Sequence, residues 1–108
     1  AYGHSHRDNL SLCLFAKGSE MLPDIGYTWT QMAAWTRSTV AHNTVVVDRE
    51  DQFGGREKSS GDLLHFFPDT GGFSMVDADG ARGYRSAKGA DAYRRTLVMV
   101  PVSELEEA

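Results

Sequence analysis

Short apolar runs with a two-residue period, separated by polar and glycine-rich connections, most constrain the fold of this chain. Side chains alternate between the two faces of a strand, so Leu10, Leu12 and Leu14 fall on one face. Only residues 30–35 and 103–108 could be helical. The pattern therefore predicts a mainly β fold, with antiparallel strands in a sandwich or part of one. The strand-type runs cover residues 10–16, 20–22, 44–48, 63–67, 73–76 and 93–100, and Lys17, Gly18 and Ser19 form a turn signal between the first two runs.

The composition fits one domain over residues 1–108, with 41% hydrophobic residues and 24% charged residues. A net charge of -4 argues against nucleic acid as a partner. No apolar run approaches the roughly 20 residues that a membrane span needs. The chain starts without Met, and its five or six strands barely close a sandwich. We therefore expect it to be a piece of a longer protein.

Two histidines and an aspartate near the start of the chain are candidate metal ligands. In an extended segment, His4, His6 and Asp8 point to the same side, and two imidazoles at positions i and i+2 can converge on one ion. Burying three such polar groups without a partner is costly. Histidines that are solvated, or hydrogen-bonded in the core, are the alternative interpretation.

Two further candidates stand at predicted strand ends. Asp24 follows Pro23, and His42 directly precedes the valine run. With a histidine from the first cluster they offer nitrogen, oxygen and nitrogen donors, a set that zinc accepts. Alternatively, Asp24 is a carboxylate that stabilises a turn, and His42 is a loop histidine bonded to the backbone.

Aromatic and basic residues provide candidate contacts with a sugar. Tyr27, Trp29 and Trp35 could form a stacking platform, or they could be core residues or loop anchors. The pair Arg94 and Arg95 could clamp a carboxylate, or it could be solvated.

Two residues in apolar surroundings are expected to have structural roles. His65 shares its strand face with Leu63 and Phe67, so we expect a hydrogen-bonded core histidine. Cys13 is the only cysteine, and it lies in an apolar run. We expect it to be a small buried hydrophobic residue.

Five blocks of sequence, in this order and spacing, resemble the heparinase II/III-like domain of polysaccharide lyases. The resemblance covers most of the chain, and it is far more specific than a single His-x-His pattern. The blocks are GHSHRDNLS at residues 3–11, LPDIG at 22–26, STVAHNTVVVD at 38–48, DQ at 51–52 and YRRT at 93–96.

The resemblance implies a fold, an activity and a location. Family members carry an N-terminal helical toroid followed by antiparallel sheets, and they depolymerise uronic-acid polysaccharides such as heparan sulfate or alginate by β-elimination. This chain would be the first part of the β region, without the toroid. The implied partner is an acidic polysaccharide, the implied location is periplasmic or secreted, and the isolated piece is expected to be inactive.

The resemblance also implies roles for individual residues. The ligands of a structural zinc match His6, Asp24 and His42, and His4 matches a histidine that faces the catalytic cleft. There it would neutralise or orient the substrate carboxylate, or assist proton transfer. The main catalytic tyrosine of the family lies on the toroid. The predicted substrate-binding residues are Trp29, Trp35 and Arg95.

Two other functions compete with a lyase. A non-catalytic carbohydrate-binding β-module would use Trp29 and Trp35 for stacking and would need no metal. A small cupin-like metalloprotein would use His4, His6 and His42 together as ligands. Because a piece cut from a sandwich keeps an unpaired sheet edge and an uncovered apolar face, we expect it to self-associate as a homo-oligomer.

Overall fold

The computed structural model describes residues 4–28, 30–53, 60–69, 71–84 and 91–102. A two-stranded sheet holds β1 and β2, and a three-stranded sheet has the order β3-β4-β5, with all pairs antiparallel. The mainly β fold is thus confirmed. Within the described ranges, no helix is long and apolar enough to cross a membrane. The elements are β1 (Leu14–Ala16), β2 (Ser19–Leu22), α1 (Ala33–Thr36), β3 (Asp62–Phe67), β4 (Ser74–Asp79) and β5 (Arg94–Met99), with single 3-10 turns at Thr39–Ala41 and Ala81–Gly83.

The first sheet is a hairpin with a two-residue turn. Ala16 pairs with Ser19, and the residues between them, Lys17 and Gly18, have φ angles of 51° and 79°. Positive φ at both positions is the mark of a type I′ turn, whose twist matches that of the flanking strands. The glycine makes this turn accessible, and the turn expected from the sequence is confirmed.

The second sheet contains three of the expected runs, and β4 lies at its centre. The β-branched and aromatic residues of this sheet suit a pleated, partly buried surface. Asp77 of β4 lies opposite His65 on β3 and opposite Thr96 on β5. These cross-strand neighbours put several polar side chains on one face of the sheet around a single carboxylate.

The small core lies where the connection between β4 and β5 meets the N-terminal segment. Ala81, Tyr84 and Tyr93 are buried, and Leu10 and Val47 pack against them. The two tyrosine rings meet edge to face, with centroids 5.2 Å apart and an interplanar angle of 77°. This is a favoured arrangement of aromatic pairs.

The valine run at 44–48 is not a strand, contrary to the expectation. Its only sheet-like contact within the described residues is an isolated bridge between Val47 and Glu50. The Val45 carbonyl instead accepts a hydrogen bond from the Tyr93 hydroxyl, at 2.7 Å. Tertiary bonds to side chains therefore take the place of a strand ladder, and β-propensity is overridden.

Two local predictions are also wrong. Cys13 is exposed, because its neighbours Leu12 and Leu14 line an apolar cleft beside the second sheet and alternation directs Cys13 the other way. The His65 side chain is hydrogen-bonded, to Asp77, but it is 54% exposed and is not in the core. The expected helix at 30–35 is present as α1, and the one at 103–108 falls outside the described residues.

Candidate metal centre

Three segments that are distant in the sequence bring their ligand atoms to one place. One ligand atom each from His6, Asp24 and His42 lies within 4.8 Å of the other two. His6 precedes β1, Asp24 follows β2, and His42 follows the turn at Thr39–Ala41. Donor atoms this close can contact a single ion.

His42 has a buried ring whose two nitrogens both face oxygen atoms. Nε2 lies 3.1 Å from the carbonyl oxygen of Thr36, which can only accept, so Nε2 carries a proton in that bond. Nδ1 lies 2.6 Å from Oδ2 of Asp24, which is also an acceptor when ionised. Nδ1 therefore needs either a second proton or a cation shared with the carboxylate.

Asp24 is held in place by the turn that it begins. Its Oδ1 accepts a hydrogen bond of 2.8 Å from the backbone N–H of Gly26, whose φ is 67°. Burial raises the pKa of the Asp24 carboxyl, but the hydrogen bonds from His42 and Gly26 and the nearby histidine charges lower it. The net pKa lies below the usual 3.8, so the carboxylate is ionised near neutral pH.

Backbone and amide hydrogen bonds fix the three segments. Asn43 donates from Nδ2 to the carbonyl of Pro23 at 2.8 Å, which ties the residue after His42 to the residue before Asp24. The backbone N–H of Arg7 donates to the carbonyl of Arg37 at 3.1 Å, next to His6. Asp24 therefore stabilises a turn and His42 bonds the backbone, as the alternative interpretations expected. Both residues nevertheless belong to the cluster of candidate ligands.

The two neighbouring histidines have different surroundings. The His6 ring lies against the His42 ring, with centroids 5.0 Å apart. The exposed His4 ring lies against Tyr27 instead, at 4.7 Å between centroids. Within the described part of the chain, His4 is outside the three-residue ligand group.

The donor set fits a zinc ion. Two imidazole nitrogens and one carboxylate oxygen suit zinc better than calcium or magnesium, which prefer oxygen ligands. A backbone carbonyl that accepts the other N–H of a ligating histidine is typical around metal ligands, and Thr36 supplies one to His42. His6, Asp24 and His42 are therefore the residues that would hold the ion.

The predicted substrate-binding residues lie on different parts of the fold. Trp35 is 48% exposed on α1. Arg95 donates hydrogen bonds to the carbonyl oxygens of Leu10 and Asn43, so its guanidinium links β5 to both histidine-bearing segments. Trp29 lies outside the described residues.

Sequence reasoning missed the residues that support the site. The Thr36 carbonyl has no side-chain signature, and the contact of Asn43 with Pro23 joins residues 20 positions apart. Gln52 is 1% exposed, which is unusual for a glutamine. In the sequence, the only indication that Gln52 matters was its place in the DQ block at residues 51–52, which resembles the family.

Comparison with known proteins agrees with the resemblance in the sequence. Residues 1–106 match the model of the family described as heparinase II/III-like, C-terminal. The chain is 30% identical over 122 residues to an exo-oligoalginate lyase of Saccharophagus degradans (strain 2-40), covering 96% of this chain and 16% of that protein. It is 30% identical over 69 residues to an alginate lyase of Stenotrophomonas maltophilia (strain K279a), covering 52% of this chain and 9% of that protein. The chain thus spans less than a fifth of the length of these curated relatives.

Proposed function

The chain belongs to the heparinase II/III-like family, whose C-terminal part it matches, and we propose that it is the β-domain of a polysaccharide lyase. The proposed reaction is β-elimination in a uronic-acid-containing polysaccharide. The relatives reported above are named as an exo-oligoalginate lyase and an alginate lyase, which supports this class of substrate. The observation that carries the proposal is the His6, Asp24 and His42 cluster beside the exposed His4.

The cluster is proposed to hold a structural zinc ion. When bound, the zinc would cross-link the segments before β1, after β2 and after the turn at Thr39–Ala41. His6 lies two residues from His4, so holding His6 restricts where the His4 ring can point. The role of the centre is then to support a catalytic residue.

His4 is the proposed catalytic residue of this chain. β-Elimination removes the weakly acidic C5 proton beside a carboxylate, and donors placed in advance stabilise the charge that develops. The exposed His4 ring, in contact with Tyr27, is suited to orient or neutralise the substrate carboxylate or to assist proton transfer. A base must also lie within hydrogen-bond reach of the proton. We assign the main catalytic tyrosine to the toroid expected elsewhere in the whole protein.

Substrate contacts and location complete the proposal. Exposed Trp35 could stack on a sugar ring, and Trp29 and Arg95 keep their proposed substrate-binding roles. A periplasmic or secreted location follows from the family resemblance alone. It also suits an enzyme that acts on a large polymer.

Two substitutions in the full-length protein test the division of roles. His6→Ala should lose zinc and thermal stability, because it removes a ligand. His4→Ala should keep zinc but lose most of the activity, typically about 100-fold or more for an acid-base group. Zinc content is measured by elemental analysis, and elimination by the ultraviolet absorbance of the unsaturated product.

His65→Ala is the matched control. It removes an exposed histidine on β3, outside the cluster, and should leave zinc content and turnover unchanged, although loss of its bond to Asp77 lowers the stability of the second sheet. Loss of zinc on His4→Ala would contradict the assigned roles. Full activity of that variant would contradict the catalytic role of His4.

A non-catalytic carbohydrate-binding module is the second candidate, and the exposure of Trp35 on α1 favours it. It predicts that the protein binds polysaccharide without cleaving it. Binding would be abolished by Trp35→Ala and would be indifferent to a chelator. Product formation by the full-length protein excludes this candidate.

A further inference from the structure

A buried glutamine binds the backbone of the segment that carries His4 and His6. The side-chain oxygen Oε1 of Gln52 accepts from the backbone N–H of Asn9 at 2.8 Å. Its Nε2 donates to the carbonyl of the same residue at 3.1 Å and to the hydroxyl of Tyr93 at 3.1 Å. The amide thus pairs with Asn9 as a neighbouring strand would, and it holds a segment 43 positions away.

Gln52 and its neighbour Asp51 also bind the turn that leads to His42. The backbone N–H of Gln52 donates to Oγ1 of Thr39 at 2.8 Å, and Oδ1 of Asp51 accepts from the Thr39 backbone N–H at 2.8 Å. Oδ2 of Asp51 pairs with the Arg7 guanidinium at 3.0 Å, next to His6. Thr39 is fully buried and its bond with Gln52 lies in the protein interior, whereas the Asp51 and Arg7 side chains are partly exposed.

We propose that Asp51 and Gln52 form a clamp that positions two ligand-bearing segments relative to each other, residues 4–9 with His6 and residues 39–42 with His42. This inference rests on the proposed zinc centre, and it assigns the geometry of that centre to two residues that bind no metal themselves. They are positioning residues. They are expected to act on zinc affinity through the backbone of Asn9 and of Thr39.

The chemistry of the amide explains why glutamine is needed. Gln52 accepts from one backbone group of Asn9 and donates to the other, which a primary amide does and an ionised carboxylate cannot do. In Gln52→Glu the carboxylate keeps the first bond, but it faces the Asn9 carbonyl with a second acceptor. Two buried acceptors in contact repel each other, so residues 4–9 should shift away from residues 39–42.

The test is the affinity of the full-length protein for Zn²⁺, measured by competition with a chromophoric chelator. Gln52→Glu should bind zinc at least about tenfold more weakly than wild type, in the range found for groups that orient metal ligands. The Co²⁺-substituted variant should also show a changed visible absorption spectrum. A general loss of stability would not produce that change, because the spectrum reports the arrangement of ligands.

Two controls separate positioning from general effects. Gln31→Glu makes the same substitution at an exposed position near α1 and should leave zinc affinity unchanged. Thr96→Val removes a hydroxyl that donates to Oδ1 of Asp77 in the second sheet and so lowers stability. It should leave the Co²⁺ spectrum unchanged, since the bond that it removes lies within that sheet and joins neither clamped segment.

If Gln52→Glu does not fold, Asp51→Ala tests the clamp instead. Asp51 is partly exposed, so its loss should be tolerated, and it should still weaken zinc binding. Wild-type zinc affinity and an unchanged spectrum in the folded clamp variants would overturn the inference and leave the zinc centre intact. Absence of zinc binding by the wild-type protein would instead overturn the zinc centre, and the clamp with it.

Discussion

The two ring nitrogens of His42 face a backbone carbonyl and a carboxylate, and this arrangement leaves Nδ1 as the nitrogen that can bind a cation. The bond from Nε2 to the Thr36 carbonyl fixes one proton, and it turns Nδ1 towards Asp24 and the His6 ring. In a fully buried side chain, an acceptor facing an acceptor is unfavourable. A metal ion shared between Nδ1 and the carboxylate removes that conflict.

At this scale we predict that Asp24→Asn abolishes the response of the protein to a chelator. Zinc at 100 times its dissociation constant would add about 2.7 kcal/mol of stability to wild type. A chelator should therefore lower the Tm of wild type clearly. It should leave the Tm of the variant unchanged, because the variant has lost a charged ligand.

The control for this prediction is Asp48→Asn. Asp48 is exposed with a φ of 53°, a conformation that asparagine tolerates well. This variant should keep the chelator response of wild type. An equal fall in Tm for wild type and Asp24→Asn would contradict the role of Asp24 as a ligand.

At the scale of elements, the second sheet depends on a carboxylate at its centre. Asp77 of β4 accepts from Nε and the terminal nitrogen of Arg94, from Nδ1 of His65 and from Oγ1 of Thr96. These four bonds reach strands on both sides. They satisfy a side chain that is almost entirely inaccessible to water. A buried carboxylate needs such partners.

The hydrogen bonds from Arg94 and His65 hold the pKa of Asp77 well below its usual 3.8, although burial opposes them. A carboxyl group with a lowered folded-state pKa stabilises the fold above its unfolded-state pKa, and this contribution is lost as the pH falls towards the folded-state value. We therefore predict that the free energy of unfolding falls below about pH 4, and less so in Asp77→Asn. Urea titrations at neutral and acidic pH measure this.

Asp62→Asn is the comparison for this sheet. Asp62 lies on β3 and pairs with Arg82, and both side chains are more than half exposed. Such a surface pair contributes little to stability, so this variant should keep the acid dependence of wild type. If Asp77→Asn has the same pH profile as wild type, the central carboxylate is not the source of the acid lability.

At the scale of the whole molecule, the two sheets enclose an apolar cleft that the described residues only partly fill. The cleft measures about 300 Å³ and lies between Leu12 and Leu14 on one side and β3, β4 and β5 on the other. Phe66 and Met99 line it and remain 59% and 65% exposed. Apolar surface of this kind promotes association.

We predict that the 108-residue chain on its own self-associates in a concentration-dependent way. Burial of exposed apolar side chains would drive the association. Phe66→Lys should shift the equilibrium towards monomer, and Arg49→Lys, a change at an exposed loop position, should not. Sedimentation velocity over a range of concentrations measures this. A clean monomer at high concentration would contradict the prediction.

The sequence by itself determined the features that depend on near neighbours. Runs of β-branched, aromatic and other apolar residues located β3, β4 and β5, because this strand-type composition can be read from consecutive residues. The turn at Lys17 and Gly18 was readable because a glycine reaches positive φ without strain. The ligand residues could be singled out by their chemistry, and the resemblance to a family implied that they meet, although the bonds that orient them could not be predicted.

Only the tertiary structure decided what depends on residues far apart in the chain. The valine run at 44–48 has the composition of a strand, yet its backbone bonds the Tyr93 hydroxyl. His42 gains its directed ring from a carbonyl and a carboxylate, and Gln52 bonds a backbone 43 positions away. Local preferences are small compared with buried hydrogen bonds, whose partners are set by how the chain packs.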